Sequence, residues 1–246
     1  ELTEAVESYK DKFESVKIAE PLLGEVGSDA TVINADKAAV AEAITAEAVK
    51  TAEYDSLDAV AADSTAFVFM GHGTSDEAKI SYSQMQTQME KLGYKNVFIG
   101  TVEGEPEETS CESVIAKVKD AGYKNVILRP LMVVAGDHAN NDMAGDDDDS
   151  WLSQFEASKN FDSVKTQIAG LGEIDAIQQL YAAHTKAAMD AAVKMTVRHL
   201  GQRAKRQNSR SLMRKKKKQQ KRKRQKLRLK MEPIQQSLKR TVPCFM

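Results

Sequence analysis

Along residues 1–17 (ELTEAVESYKDKFESVK) the apolar side chains Leu2, Val6, Tyr9, Phe13 and Val16 fall three or four apart. That is the period of an amphipathic helix with a charged outer face. KIAEPLLG, a short apolar run stopped by Gly24, predicts a strand, and the Ala-rich, acidic stretch from Asp36 to Ala62 predicts one or two helices. The pattern then changes. TAFVFMGHG, NVFIGTVEG and NVILRPLMVVAGDH are apolar at consecutive positions, and helical spacing separates them near Ser81–Leu92 and Thr109–Ala121. Strands that are apolar on both faces belong to a parallel sheet covered by helices, so this region predicts a βαβαβ, α/β fold whose strand C-termini share one edge. GYKNV occurs at Gly93–Val97 and again at Gly122–Val126, 29 residues on, about one βα unit. Each copy reads as a helix C-cap feeding a strand.

Beyond the third strand, four Asp at 146–149 followed by Ser150 and Trp151 predict the start of a helix reaching Ser158. The run of like charge is otherwise a solvated face. Ser163–Ile168 predicts a fourth strand, Gly170 and Gly172 a turn, and Glu173–Val193 a closing helix with Ile174, Ile177, Leu180, Tyr181 and His184 on one side.

Charge divides the chain more sharply than hydropathy does. The 246 residues carry a formal net charge of −1, but from Met195 onward there are 19 Lys+Arg and one acid, Glu232. Residues 1–194 hold the other 16 cations and 35 acids, so an acidic body joins a basic tail. Cys111 and Cys244 lie one in each part, and neither has a CxxC partner, which argues against a disulfide framework or zinc ribbon and for a reducing, cytoplasmic compartment. A periplasmic location would require a lost leader. Cys111 is expected to be a small buried apolar residue on a helix. No apolar run approaches the roughly 18 residues needed to span a bilayer.

Two of the four histidines stand where a strand gives way to a loop: His72 in GHG and His138 in GDH. Glu103 in TVEGEPE occupies the same level on the strand between them in sequence. In open α/β sheets ligands bind outside the carboxyl ends of the strands. Two imidazoles and a carboxylate there suit a borderline divalent metal such as Co, Fe, Ni or Zn, with positions left open for a substrate. The plainer alternatives are a strand-end histidine bonded to a backbone carbonyl for His72 and a solvated acidic loop for Glu103, which Glu105, Glu107 and Glu108 follow. His184 lies inside a helical pattern and is expected to have a packing or surface role. The glycines form neither GxGxxG nor GxxxxGK[ST], so nucleotide binding is not expected.

At these residues the chain resembles the anaerobic sirohydrochlorin cobaltochelatases, class II chelatases of the lyase class. The resemblance rests on VFMGHGTS (Val68–Ser75), GTVEGEP (Gly100–Pro106), PLMVVAGDHANNDMAGDDDDSW (Pro130–Trp151) and GLGEIDAI (Gly170–Ile177). It covers residues 65–190 well and residues 1–64 loosely. It implies ATP-independent insertion of Co²⁺ into the tetrapyrrole sirohydrochlorin, in anaerobic cobalamin biosynthesis. It also implies that His72, Glu103 and His138 are the metal-binding and catalytic groups. Fe²⁺ or Ni²⁺ chelation on a related tetrapyrrole, or a fragment that binds metal or porphyrin without turnover, are the alternatives. Family members have two similar α/β domains with the tetrapyrrole between them, and homo-oligomers are an open expectation. On that pattern residues 1–62 are the remnant of the first domain plus linker helices, 63–194 the C-terminal domain with the metal site, and 195–246 a basic extension foreign to the family.

From Arg198 to Lys230 the tail has few apolar residues, and the first aromatic after them is Phe245, so it is expected to be disordered on its own. It would bind nucleic acid or an anionic surface electrostatically, or it stems from a misjoined reading frame starting near Met195. His199 lies in it and is given no role. The acidic body would repel the substrate's carboxylates at long range, so local cations are needed as anchors, Arg129 or Lys79 or ones in the first domain of the family pattern.

Overall fold

A computed structural model describes residues 2–191 of the chain. Expectations about the basic tail, His199 and Cys244 lie outside the described residues. In chain order the elements are α1 (Leu2–Glu7), α2 (Ala35–Thr51), α3 (Leu57–Ala62), β1 (Thr65–Gly71), α4 (Ile80–Lys91), β2 (Val97–Thr101), α5 (Cys111–Asp120), β3 (Asn125–Pro130), α6 (Trp151–Ala157), β4 (Ser163–Thr166) and α7 (175–191). The four strands form one parallel sheet in the order β2-β1-β3-β4. The predicted α/β architecture is what the chain adopts.

Consecutive residues of β1 serve opposite faces, which is why its sequence does not alternate. Phe67 and Phe69 face a core shared with α2, α3 and α4 and with Ile174 and Ile177, whereas Ala66, Val68 and Met70 face one built with α5, α6, Met143 and Trp151. All seven residues of β1 are buried, so β1 is the central strand by burial as well as by pairing. The two GYKNV repeats play the same part. Gly93 and Gly122 follow α4 and α5 in the left-handed region, and Val97 and Val126 are buried strand residues.

Three predicted elements differ, one of them the strand read through NVILRPLMVVAGDH, which ends as β3 at Pro130, so that a loop and not a strand end leads to His138. The helix over residues 1–17 is only α1 and a single turn at Lys10–Lys12, with no buried residue; Leu2 and Phe13 are 61% and 62% exposed. A helical apolar stripe needs a surface to bury against, and without one a short helix is marginal. The strand predicted for KIAEPLLG is an irregular segment. Pro21 cannot donate to a ladder, and Leu22 and Leu23 pack on the core from a loop whose carbonyls are held by side chains. Lys37, buried at the start of α2, donates from Nζ to the Leu23 and Glu25 carbonyls at 2.9 Å each, and burial pushes its pKa down. His184 sits where a packing role places it, its ring nitrogens 3.1 Å from the Glu20 carbonyl and from Asp36.

Ser150 is the N-cap of α6, its hydroxyl accepting from the Ser153 N–H, while Asp146–Asp149 are exposed. The helix-cap reading therefore belongs to the serine, and the acidic run is a solvated face.

Cys111 opens α5 and is 9% exposed, as expected of a small packed residue. Burial raises its thiol to about 12. Between pH 9, where the unfolded thiol ionises, and about 12 the native state binds the extra proton, so this residue's contribution to stability falls as pH rises through that window. At pH 8, peptide mapping after iodoacetamide treatment should find Cys111 unmodified in the native chain and modified in urea, since only the thiolate attacks. Equal labelling in both states would contradict the burial.

Candidate metal-handling site

The register fixes where the three candidate residues meet. Gly71 of β1 pairs with Thr101 of β2, and Met70 pairs with Pro130 of β3, so the three strands end at one level. His72 follows the central strand directly. Pairing continues one step past the strand ends, with Val102 N–H donating to the Gly71 carbonyl and Glu103 N–H to the His72 carbonyl, both at 2.9 Å. Glu103 is thereby held beside His72. Its carboxylate Oε1 lies 4.0 Å from His72 Nε2. His138 arrives from the other side, at the start of a π-helical turn (His138–Met143) after β3, and its ring meets that of His72 edge-on, centroids 4.6 Å apart and planes at 84°. The structure brings all three predicted residues together at the C-terminal edge of the sheet.

Gly73 is the residue that allows this approach. Its φ is +93°, and a Cβ there would stand 2.7 Å from Glu103 Cβ, so a side chain would both strain the backbone and push Glu103 away. Its N–H donates to the Tyr82 hydroxyl at 3.1 Å, a tie from α4 that no sequence pattern announces.

Both imidazoles are oriented through Nδ1. His72 Nδ1–H donates to the Gly73 carbonyl at 2.8 Å, and His138 Nδ1 bonds the Asp142 carboxylate. A carbonyl only accepts, so Nδ1 of His72 carries a proton, and in the neutral ring Nε2 then presents its lone pair. The carbonyl-bonded reading of His72 and the ligand reading are thus compatible: the bond made by one nitrogen aims the other. The acids after Glu103 are engaged elsewhere. Glu105 pairs with Lys79 at 2.6 Å, and Ser83 donates to Glu108 at 2.6 Å, a bond that holds the Glu108 carboxyl below its ordinary range.

The triad is open. Ligands sharing one ion at about 2.1 Å stand about 3.4 Å apart in a tetrahedral set, closer than the 4.0 Å between His72 and Glu103. Among the described residues no group of three or more His, Cys, Asp and Glu is drawn together tightly enough to cage a metal by itself. With side chains of His72 and Glu103 about half exposed (51% and 52%), the edge faces solvent.

Neither proposed carboxylate anchor is a free cation. Arg129 is 1% exposed, donating from Nη1 to Gln167 at 2.8 Å and Thr51 at 3.3 Å, and its guanidinium pKa is lowered by burial. It points from β3 into the protein, because a mid-strand residue of a doubly covered sheet has no outward face. Lys79 is the partner of Glu105. A cleft of about 840 Å³ opens between the loops after β1 and β2, lined by Val26, Asp76, Lys79, Ile80, Pro106 and Glu108, and none of the triad lines it.

A family model described as "Cobalt chelatase (CbiK)" matches residues 1–190. A sirohydrochlorin cobaltochelatase of Salmonella typhimurium is 40% identical over 127 residues, 52% of this chain and 46% of that protein. Sirohydrochlorin cobaltochelatase CbiKC of Nitratidesulfovibrio vulgaris is 40% identical over 93 residues, 38% of this chain and 32% of that protein. The chain thus spans about half the length, or less, of the curated relatives it matches. Among the described residues no helix is long and apolar enough to cross a membrane.

Proposed function

Because the chain belongs to the cobalt chelatase (CbiK) family, we propose that His72, Glu103 and His138 handle Co²⁺ for ATP-independent insertion into sirohydrochlorin. The observation that carries this reading is the pair of outward-facing imidazoles, ring centroids 4.6 Å apart, beside a carboxylate 4.0 Å from one of them. Metal insertion exchanges two pyrrole N–H protons for one M²⁺. The site must hold the ion loosely enough to release it and must accept protons near neutral pH, and imidazole does both. An open triad suits an ion that is cargo. His72 takes up one pyrrole proton at Nε2, the imidazolium being stabilised by Glu103, and the half-exposed Glu103 carboxylate relays the second to solvent, while His138 holds the metal. His and Glu donors accept Fe²⁺ and Ni²⁺ as well, and cobalt is favoured by the family description. The cytoplasmic location remains part of the same reading, as do association of copies and contact with nucleic acid through the basic segment alone.

The test is anaerobic absorbance with sirohydrochlorin and Co²⁺, using the whole chain. Spectral conversion of many equivalents of substrate per protein, above a protein-free blank, is the expected result. A change that stops at one equivalent supports the second reading, in which the chain binds metal or tetrapyrrole without turnover. Conversion no faster than the blank refutes the enzyme reading.

A further inference from the structure

We infer that Asp142 is a positioning residue that makes His138 the stronger of the two imidazole ligands. This rests on the metal role proposed above for His138. The two histidines differ in their Nδ1 partners: His72 gives its Nδ1–H to a neutral carbonyl, whereas His138 Nδ1 bonds a carboxylate, that of Asp142. A carboxylate acceptor fixes the Nδ1–H tautomer, leaves the Nε2 lone pair outward and increases its donor strength toward a cation, more than a carbonyl does.

The backbone builds this pair deliberately. His138 and Asp142 stand four residues apart on one π-helical turn, a geometry that recurs at functional positions. The turn is anchored by Ala139 and Met143, both 0% exposed, with Met143 in the core against α5 and α6. Asn140 Nδ2 donates to the Gly136 carbonyl at 2.7 Å and Asn141 Nδ2 to Asp137 at 2.7 Å, closing the entrance to the turn. With the inner face fixed, His138 and Asp142 are held at the sheet edge, their side chains 40% and 44% exposed. Asp142 bonds the His138 ring at Nδ1, so its influence on an ion runs through that ring. Without it that ring can turn about χ2 and offer either nitrogen.

Anaerobic titration of the whole chain with Co²⁺ alone, followed by the visible d–d absorption, tests the assignment. Asp142→Ala should bind Co²⁺ about 10–100-fold more weakly than the unsubstituted chain, the usual cost of losing an outer-shell partner. Asp142→Asn, whose amide oxygen still accepts from Nδ1–H but carries no charge, should fall between the two. That graded recovery is a readout that a purely structural role for the turn would not give. His138→Ala serves as the reference for loss of the ligand. Asp142→Ala within twofold of the unsubstituted chain, with His138→Ala strongly weakened, overturns the role of Asp142 and leaves the site reading intact. Equal weakening by Asp142→Ala and Asp142→Asn overturns it as well. If His138→Ala binds as tightly as the unsubstituted chain, or neither binds, the metal reading of His138 fails and this inference with it.

Discussion

With His72 as the proposed proton acceptor, His72→Ala is expected to slow cobalt insertion by roughly 10²–10⁴-fold, the contribution of a positioned acid–base group, while leaving the fold intact. The two halves of that expectation have separate causes. The imidazole is half exposed, and its one recorded hydrogen bond is to the carbonyl of the next residue, so its removal leaves no cavity and no buried polar group unsatisfied. The neighbouring backbone is held by other bonds, from Glu103 N–H to the His72 carbonyl and from Gly73 N–H to Tyr82. Far-UV circular dichroism and the thermal midpoint should therefore match the parent chain. On the proposed reading the reaction, by contrast, loses its proton acceptor and one of its two imidazoles, and Glu103 loses the ring that stands 4.0 Å from it. Initial rates of macrocycle conversion measure the loss. A rate within threefold of the parent, at matched Co²⁺ and sirohydrochlorin, would remove His72 from the mechanism.

How much of this was legible in the sequence depends on whether the cause was local. His72 and Glu103 could be placed at a common level because two buried apolar runs ended immediately before them, and strand ends of a parallel sheet are forced to one edge. His138 is eight residues past the end of β3, and its proximity to His72 comes from the path of the loop and the π-helical turn, which periodicity does not encode. Asp142 was missed, although a His and an Asp four apart in a Gly-flanked segment is a spacing that one helical turn brings together. Tyr82 left no trace at all, since its role is a hydroxyl meeting a backbone N–H from another element. The depth of Arg129 was misjudged for the opposite reason: its charge suggested a surface role, and only the pairing of β3 between two strands, with helices on both faces, shows why it is enclosed. Residues 1–17 carry a correct helical period with no surface to satisfy it, so periodicity alone overstated the element.

Trp151→Ala should cost about 3–5 kcal/mol of stability, the range for emptying a large aromatic site in a core. The indole is 3% exposed at the first position of α6 and stacks on Phe155 with ring centroids 6.0 Å apart. Its far side lies on β2: a Cβ built on Gly100 would come within 2.2 Å of the ring. The ring therefore occupies the space that a side chain at 100 would otherwise fill, and Gly100 has nothing with which to fill it once the ring is gone. Collapse would have to come from Phe155 or Met143, both 0% exposed and already packed, so the cavity should persist and the upper part of the range should apply. The cost reaches the site as well, because Gly100 and Thr101 are the last residues of β2 before the turn that carries Glu103. Urea denaturation followed by far-UV circular dichroism is the appropriate measurement, since Trp151 is the chain's one tryptophan and its removal abolishes that fluorescence. A loss below about 1 kcal/mol would mean that the lid over β2 closes by another route, because partial relaxation of a core this size does not recover so much.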